Sequence, residues 1–412
     1  MANLAAIRSV LSQRNTRIFY GCSALSWTGL WIQQIAIDWL AWTMTHSVLW
    51  VSILAFCNLG PSVIISPFAG AMSDRLDRLR LTIATQLATA VLAGTLALLT
   101  ITDAVRIEHI AIIQVLMGIT QSFAQPARQS LVPGMVSRAD LPGAVALNSL
   151  TYNIARSVGP AIGGILLTHW GVVPGMVVNC VGYLVASATM PRLQLSDSIR
   201  HGHKPTGRSV LAEAIEGITY VARHPGMGPL FVYAALIGLL TRSVQEILAP
   251  FVATLFEGGP PELSTLASTM GLAALAGGIV IATRGRLRGL TRYVIASGLT
   301  MAIGTLLFVA THSFPFALVC ALSLGAAGTI HGISAQTLLQ SSTPSHMLGR
   351  VLSLWGMIGR AAPAIGALVY GAATKIAGLQ LPVIIGALFA AAATIWAVRR
   401  LPAMIRALEG PG

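Results

Sequence analysis

Apolar stretches alternate with short polar or charged connections along the whole chain, near 18–44, 48–72, 81–102, 107–132, 142–168, 172–191, 228–255, 264–283, 293–311, 315–341, 350–373 and 379–398. A helix rises about 1.5 Å per residue, so ~20 residues cross a hydrocarbon layer about 30 Å thick, and each stretch is long enough. The pattern predicts an all-α membrane protein with twelve transmembrane helices. The longest connection falls between the sixth and seventh stretches, which gives two six-helix halves, 1–191 and 228–412, joined by a linker at 192–227. The first half of that linker, with Ser196, Asp197, Gly202 and Pro205, reads as flexible. In its second half Leu211, Ala214, Ile215 and Ile218 recur at helical spacing opposite Glu213 and Glu216, predicting an amphipathic helix on the cytoplasmic face that ends at Pro225.

Composition supports this class. Of 412 residues, 55% are hydrophobic and 9% are charged, against roughly a quarter charged in soluble domains. That excludes a water-soluble enzyme. The net charge of +13 would suggest nucleic acid in a soluble chain, but the cations segregate by loop. Arg75, Arg78, Arg80, Arg128, Arg138, Arg192, Arg223, Arg284, Arg288, Arg350 and Arg399 fall on one side, Arg106 and Lys375 on the other, and Arg156, Arg242 and Arg360 inside stretches. The positive-inside rule then places both termini in the cytoplasm and removes the case for nucleic acid. The first stretch is too long for a signal-peptide core and carries Asp38, so it is expected to remain as the first helix. Cys22, Cys57, Cys180 and Cys320 stand singly in apolar runs and read as small core residues, with no metal-binding spacing. Arginine dominates over lysine, which fits a bacterial genome rich in GC and hence a bacterial plasma (inner) membrane. A monomer is expected.

The chain repeats itself. Arg156 to Gly163 resembles Arg360 to Gly366, with a shared Pro-Ala-Ile-Gly at Pro160 and Pro363, about half a chain apart. Asp38-Trp39-Leu40-Ala41 aligns with Glu246-Ile247-Leu248-Ala249 at nearly the same offset. Parallel six-helix repeats are how secondary transporters place a substrate site between halves at mid-membrane.

Gly70-Ala71-Met72-Ser73-Asp74-Arg75-Leu76-Asp77-Arg78 resembles the major facilitator signature G-x-L-a-D-r-x-G-r-k, in the cytoplasmic loop where that superfamily carries it. Asp77 replaces the usual second glycine, so the turn is expected to be built differently. The corresponding stretch of the second half, Gly278 to Arg288, has Ala282 in place of the acid. The resemblance implies that Asp74 caps or pairs with a neighbouring helix end. Arg75 and Arg78 would bind carboxylates or helix C-termini, latching the outward-open state. Gly159-Pro160-Ala161-Ile162-Gly163-Gly164 is similar to the G-P-x-x-G-G element of drug and proton antiporters. Physically, such glycines let helix backbones approach and the proline bends the helix. Phe123 to Arg128, Leu131-Val132-Pro133 and Ala146 to Ser149 resemble the branch containing the enterobactin exporter and macrolide efflux proteins, which implies export. Where many proton antiporters have an arginine in span four, this chain has Gln114, so a relay through that position is not expected.

Ions inside a bilayer cost roughly 2.5–3.5 kcal/mol each on insertion scales, so those present are functional candidates. On the first helix Trp27, Trp31, Gln34, Asp38 and Trp42 form one polar and aromatic stripe. Asp38 is either the proton-coupling carboxyl or a structural hydrogen-bond partner. Glu246 follows Arg242 by four residues, a spacing for an intrahelical ion pair that is either permanent or switched by substrate or proton. Arg156 and Arg360 would attract an anionic substrate or neutralise the acids. Gln114 and His331 complete the polar lining, the histidine being alternatively a helix-to-helix tether. There is no HExxH, no nucleophile with a base, and no phosphate loop, so neither an enzyme nor a cofactor is expected and an ion gradient is the driving force. The reading is proton-coupled efflux of a small amphipathic compound, siderophore or drug, by alternating access. The alternative is a facilitative or proton-coupled importer of a small metabolite.

Overall fold

A computed structural model describes residues 9–137, 140–195, 210–284 and 286–410. Its regular structure is helical throughout these residues. The long helices are α1 (Arg14–Thr45), α2 (Val48–Arg75), α3 (Arg78–Ile101), α4 (Ile107–Leu131), α5 (Leu141–Trp170) and α6 (Val173–Thr189). A short α7 (Val210–Arg223) precedes α8 (Met227–Leu240) and α9 (Leu248–Leu255). Then come α10 (Pro260–Arg284), α11 (Leu290–Ala310), α12 (Phe314–Ser342), α13 (Ser345–Ala377) and α14 (Gln380–Leu408).

Among the described residues ten segments are long and apolar enough to cross a membrane, so the protein is multi-pass. Two further helices have the length, at 32 residues for α1 and 30 for α5, but not the apolarity. Gln33, Gln34 and Asp38 dilute α1, and Asn148, Asn153 and Arg156 dilute α5. Polar side chains on a long helix in such a protein need protein partners or water, and these two helices build most of the candidate site.

The seventh stretch is not one helix. A 3-10 turn at Arg242–Ile247 separates α8 from α9, with Thr241 at φ −121° and Ile247 at φ −130°, ψ 34°. Pro250 explains why the break is tolerated. Its ring and missing N–H cannot continue an α-helical bond to the Glu246 carbonyl, whereas in the first turn of α9 the missing donor costs nothing. The carbonyl of Leu240, near the break, accepts a 2.6 Å hydrogen bond from the Tyr370 hydroxyl.

The chain divides into two compact units. One holds residues 1–44, 64–207 and 259–271, the other 45–63, 208–258 and 272–412. The border therefore runs within α2 and within α10. The core of the first unit gathers Phe19, Tyr20, Leu131, Ala144, Ala186 and Met190, and the Tyr20 hydroxyl ties α1 to α5 at the Ala144 carbonyl, 2.7 Å away. In the second unit Tyr233 on α8 donates to Ile295 of α11 and pairs with Thr394 of α14, both at 3.1 Å. The segment Val210–Arg223 is helical, with Ile215 and Ile218 about half exposed. Glu216 turns toward α13 and meets Arg350 at 2.9 Å. The linker residues 196–209 lie outside the described residues.

Candidate functional site

Glycines set the spacing of the α1–α5 seam in the first unit. A methyl group at Gly159 would come 2.5 Å from Trp31 Cβ, and one at Gly163 would come 3.2 Å from the Ile32 Cα. At Gly159 only glycine allows α5 this close to α1. Gly164 instead faces α10, where a methyl would collide with Ser264. Gly159, Gly163 and Gly164 thus serve two different helix contacts, with Pro160 inside the same helix.

Close approach brings the aromatic stripe of α1 against α5. Tyr152 stands edge-on to Trp27 and Trp31, with ring centroids 5.3 and 6.3 Å apart. The Arg156 guanidinium lies 5.6 Å above the Trp31 ring. One turn nearer the start of α1, the Arg128 guanidinium lies 3.9 Å above Trp27 and 5.9 Å from Phe19. Arg128 was expected among the loop cations; it is in the last turn of α4, half-buried on aromatic rings. Its spacing to the nearest loop gave no sign of this, since the partner rings come from a distant stretch. Further along α1, Gln34 donates a 2.9 Å hydrogen bond to Asp38, and both side chains are half-buried.

Gln33, adjacent to the stripe, was not singled out by the sequence. It is buried and accepts a 2.8 Å hydrogen bond from Asn179 of α6, which fixes the rotation of α1. Gln114 of α4 is also buried, 1% exposed. Gln121 donates to the Tyr183 hydroxyl at 3.2 Å.

In the second unit the repeat geometry returns with different chemistry. Gly366 of α13 backs onto α8, where a methyl would collide with the Leu239 carbonyl and come 2.8 Å from Ser243 Cβ. Arg242 and Glu246 lie in the 3-10 turn, where three residues make a turn, so the α-helical four-residue stacking expected for them does not apply. Both are half-buried and have partners, as does Arg360 on α13. His331 is buried on α12, with Nδ1 3.0 Å from the Val294 carbonyl of α11 and its ring beside Tyr233. That is the tether geometry.

The signature loop ends α2 and starts α3. The side chains of Gly70, Asp74 and Arg75 lie outside the described residues; Arg78 is the first residue of α3. Asp77 is the N-cap, its Oδ1 accepting from Leu79 N–H at 2.9 Å and Arg80 N–H at 3.0 Å. The aspartate thus does by capping what the usual glycine does by turning. At the loop before α11 the cap comes from far away. The Glu409 carboxylate accepts from Gly289 N–H at 2.6 Å and Thr291 N–H at 2.8 Å. Gly289 holds φ 85°, a left-handed conformation that favours glycine. Arg284 closes this loop through a 2.7 Å bond to the Arg288 carbonyl and stacks 4.3 Å from Tyr293.

A family model described as "Transmembrane secretion effector" matches residues 6–409. The chain belongs to this family of the major facilitator superfamily. Curated relatives include a "Staphyloferrin A transporter" of Staphylococcus aureus, 25% identical over 88% of this chain and 90% of that one. Another is the "Multidrug efflux pump Tap" of Mycolicibacterium fortuitum, 24% identical over 85% and 86% of the two chains. A third is the "Enterobactin exporter EntS" of Salmonella typhimurium, 25% identical over 87% and 88%. Among solved structures, a POT family transporter in complex with 5-aminolevulinic acid superposes with a TM-score of 0.77 at 13% identity, covering 95% of this chain and 97% of that one. The nucleoside transporter NupG gives 0.71 at 11% identity, over 93% and 99%. These likenesses establish the fold. The chain is a membrane transporter. Of its sequence-predicted residues, Arg156, Gly159 and Gly163 of α5 meet α1 at Trp31 and Ile32, Gln34 and Asp38 pair further along α1, and His331 belongs to the packing of the second unit.

Proposed function

We propose that this transporter is a proton-coupled exporter of small amphipathic compounds of the siderophore or drug kind. The observation that carries the reading is the α1–α5 seam: a half-buried Asp38 hydrogen-bonded to Gln34, continuous on one helix with indoles that carry two guanidiniums. A carboxyl within a membrane-spanning helix can bind and release a proton, as a coupling site requires. The similarity to proteins named as an enterobactin exporter, a macrolide efflux protein and a multidrug efflux pump supports the outward direction.

In this reading α1 and α5 count as spans beside the ten apolar ones and give twelve, in halves at 1–191 and 228–412 around the linker. Transport then proceeds by alternating access. Asp74, Arg75 and Arg78 latch the cytoplasmic side in the outward-open state, the location is a bacterial inner membrane, and both termini are cytoplasmic. The transporter works as a monomer without a cofactor. Glu246, Arg242 and Arg360 serve the second half, with Gln114 lining the first.

The test is transport by the purified protein in proteoliposomes under an imposed pH gradient, with a siderophore and a cationic drug as substrates. Export predicts flux that follows the gradient in size and direction. Substrate accumulation that ignores the gradient would favour the facilitative importer instead.

A further inference from the structure

We infer that the α1–α4–α5 stripe of the first unit is a binding shelf for planar aromatic carboxylates, and so selects acidic substrates over cationic drugs; this rests on the export reading above for its biological sense. Two guanidiniums lie over two indoles, Arg128 on Trp27 at 3.9 Å and Arg156 on Trp31 at 5.6 Å. Trp27 and Trp31 are four residues apart, neighbours on one face of α1. Tyr152 stands edge-on to both and is 38% exposed, so the stripe is not sealed by protein at its tyrosine edge.

Stacking on an aromatic face holds a guanidinium flat and leaves its N–H edge free for oxygen. Among the described residues no carboxylate lies within ion-pairing distance of Arg128, whose recorded neighbours are aromatic rings. An anionic ligand can supply a half-buried cation of this kind with a bidentate contact. The tyrosine and indole edges then contact the ligand's ring. A cationic amphiphile would lie against the same rings but meet charge repulsion from Arg128. Asp38 is seven residues beyond Trp31, about 10 Å along the helix, so proton and anion occupy different places on α1 and need not compete for one group.

The probes are salicylate, salicylamide and 2-hydroxybenzylamine, one ring with anionic, neutral and cationic substituents. Binding to the purified full-length protein is read by tryptophan fluorescence, alongside gradient-driven transport. Salicylate is expected to bind at least ~10-fold tighter than either analogue, a gap of the size that one charge-assisted contact gives. Arg128→Gln should remove that preference and leave salicylamide binding unchanged, and Arg128→Lys should restore part of it. Equal or tighter binding of the amine or amide by the native protein overturns the shelf, as does an Arg128→Gln variant with undiminished salicylate affinity. If Arg128→Gln fails to fold, the native ligand series and Arg128→Lys decide alone. Should the charge preference hold while nothing moves with the gradient, the export reading fails and the shelf stands; gradient-driven export of a cationic drug with no preference for salicylate does the reverse.

Discussion

The first and seventh apolar stretches stand at matching places in the sequence repeat, yet they carry their acids in opposite ways. Helix α1 runs unbroken from Arg14 to Thr45 and holds Asp38 by a hydrogen bond from its own Gln34. Its counterpart is interrupted at Arg242–Ile247, where Glu246 sits, and a hydroxyl from α13 satisfies the Leu240 carbonyl beside the break. Each helix is clasped by a glycine of the partner helix, Gly163 against Ile32 and Gly366 against Leu239. The lesson is that a duplicated scaffold can keep its packing while its chemistry diverges. An intact helix offers a side chain to titrate, whereas a broken one adds free backbone groups whose satisfaction then constrains the neighbouring helix.

The clasp is the sharpest way to break the comparison. Gly366→Ala pushes a methyl into backbone on α8, so it should cost about 2–3 kcal/mol, as overpacking does. At Gly163 the nearest atom would be 3.2 Å away, and Gly163→Ala should cost under ~1 kcal/mol. Thermal unfolding of the two variants in detergent, read by intrinsic fluorescence, ranks them. Equal losses would mean that the break gives α8 no tighter a clasp than α1. Tyr370→Phe leaves the Leu240 carbonyl without its 2.6 Å partner and should cost about 1–2 kcal/mol in the same assay.

The two cytoplasmic caps extend the contrast. Asp77 acts within its own loop, and Glu409 reaches the α11 start from the end of α14. Each replacement by alanine should cost about 1 kcal/mol. Hydrogen exchange separates them: Asp77→Ala should expose the amides of Leu79 and Arg80 alone, while Glu409→Ala should loosen Gly289, Thr291 and the end of α14 together.

The smallest effect concerns how α8 begins. His224 accepts from the Gly226 and Met227 N–H groups at Nδ1, both at 3.2 Å, which needs that nitrogen unprotonated. Desolvation pushes its pKa below the ordinary value. The neutral form is therefore favoured in the folded state, so this contribution is complete above about pH 6.5, the unperturbed value, and is lost as pH falls below it toward the folded pKa. Exchange of the 226–228 amides, corrected for intrinsic rates, should quicken at pH 5.5 relative to pH 7.5, and His224→Ala should abolish the difference.

Much of this was legible from periodicity. The long apolar runs, the amphipathic α7 and the close glycine seam of α5 follow from local pattern, because burial and helix spacing leave their mark on consecutive residues. The break in α8 was not read, although Pro250 carried the signal: a proline four residues after Glu246 denies that carbonyl its helical donor. Arg128 was assigned to a loop because loop cations and stacked cations have the same composition, and only the fold brings Trp27 and Phe19 to it. Glu409 escaped for the same reason, since a cap supplied from the far end of the chain leaves no local motif where Ala282 stands. His331 was read from its chemistry, and its backbone tether to Val294 depends on a helix packed beside it.

The central claim is that coupling belongs to the intact helix. It is tested by comparing Asp38→Asn with Glu246→Gln in proteoliposomes, measuring gradient-driven flux and substrate counterflow without a gradient. The account predicts that Asp38→Asn loses gradient-driven flux while counterflow persists, and that Glu246→Gln retains gradient-driven flux. Undiminished coupling in Asp38→Asn, or its loss in Glu246→Gln alone, would contradict the account.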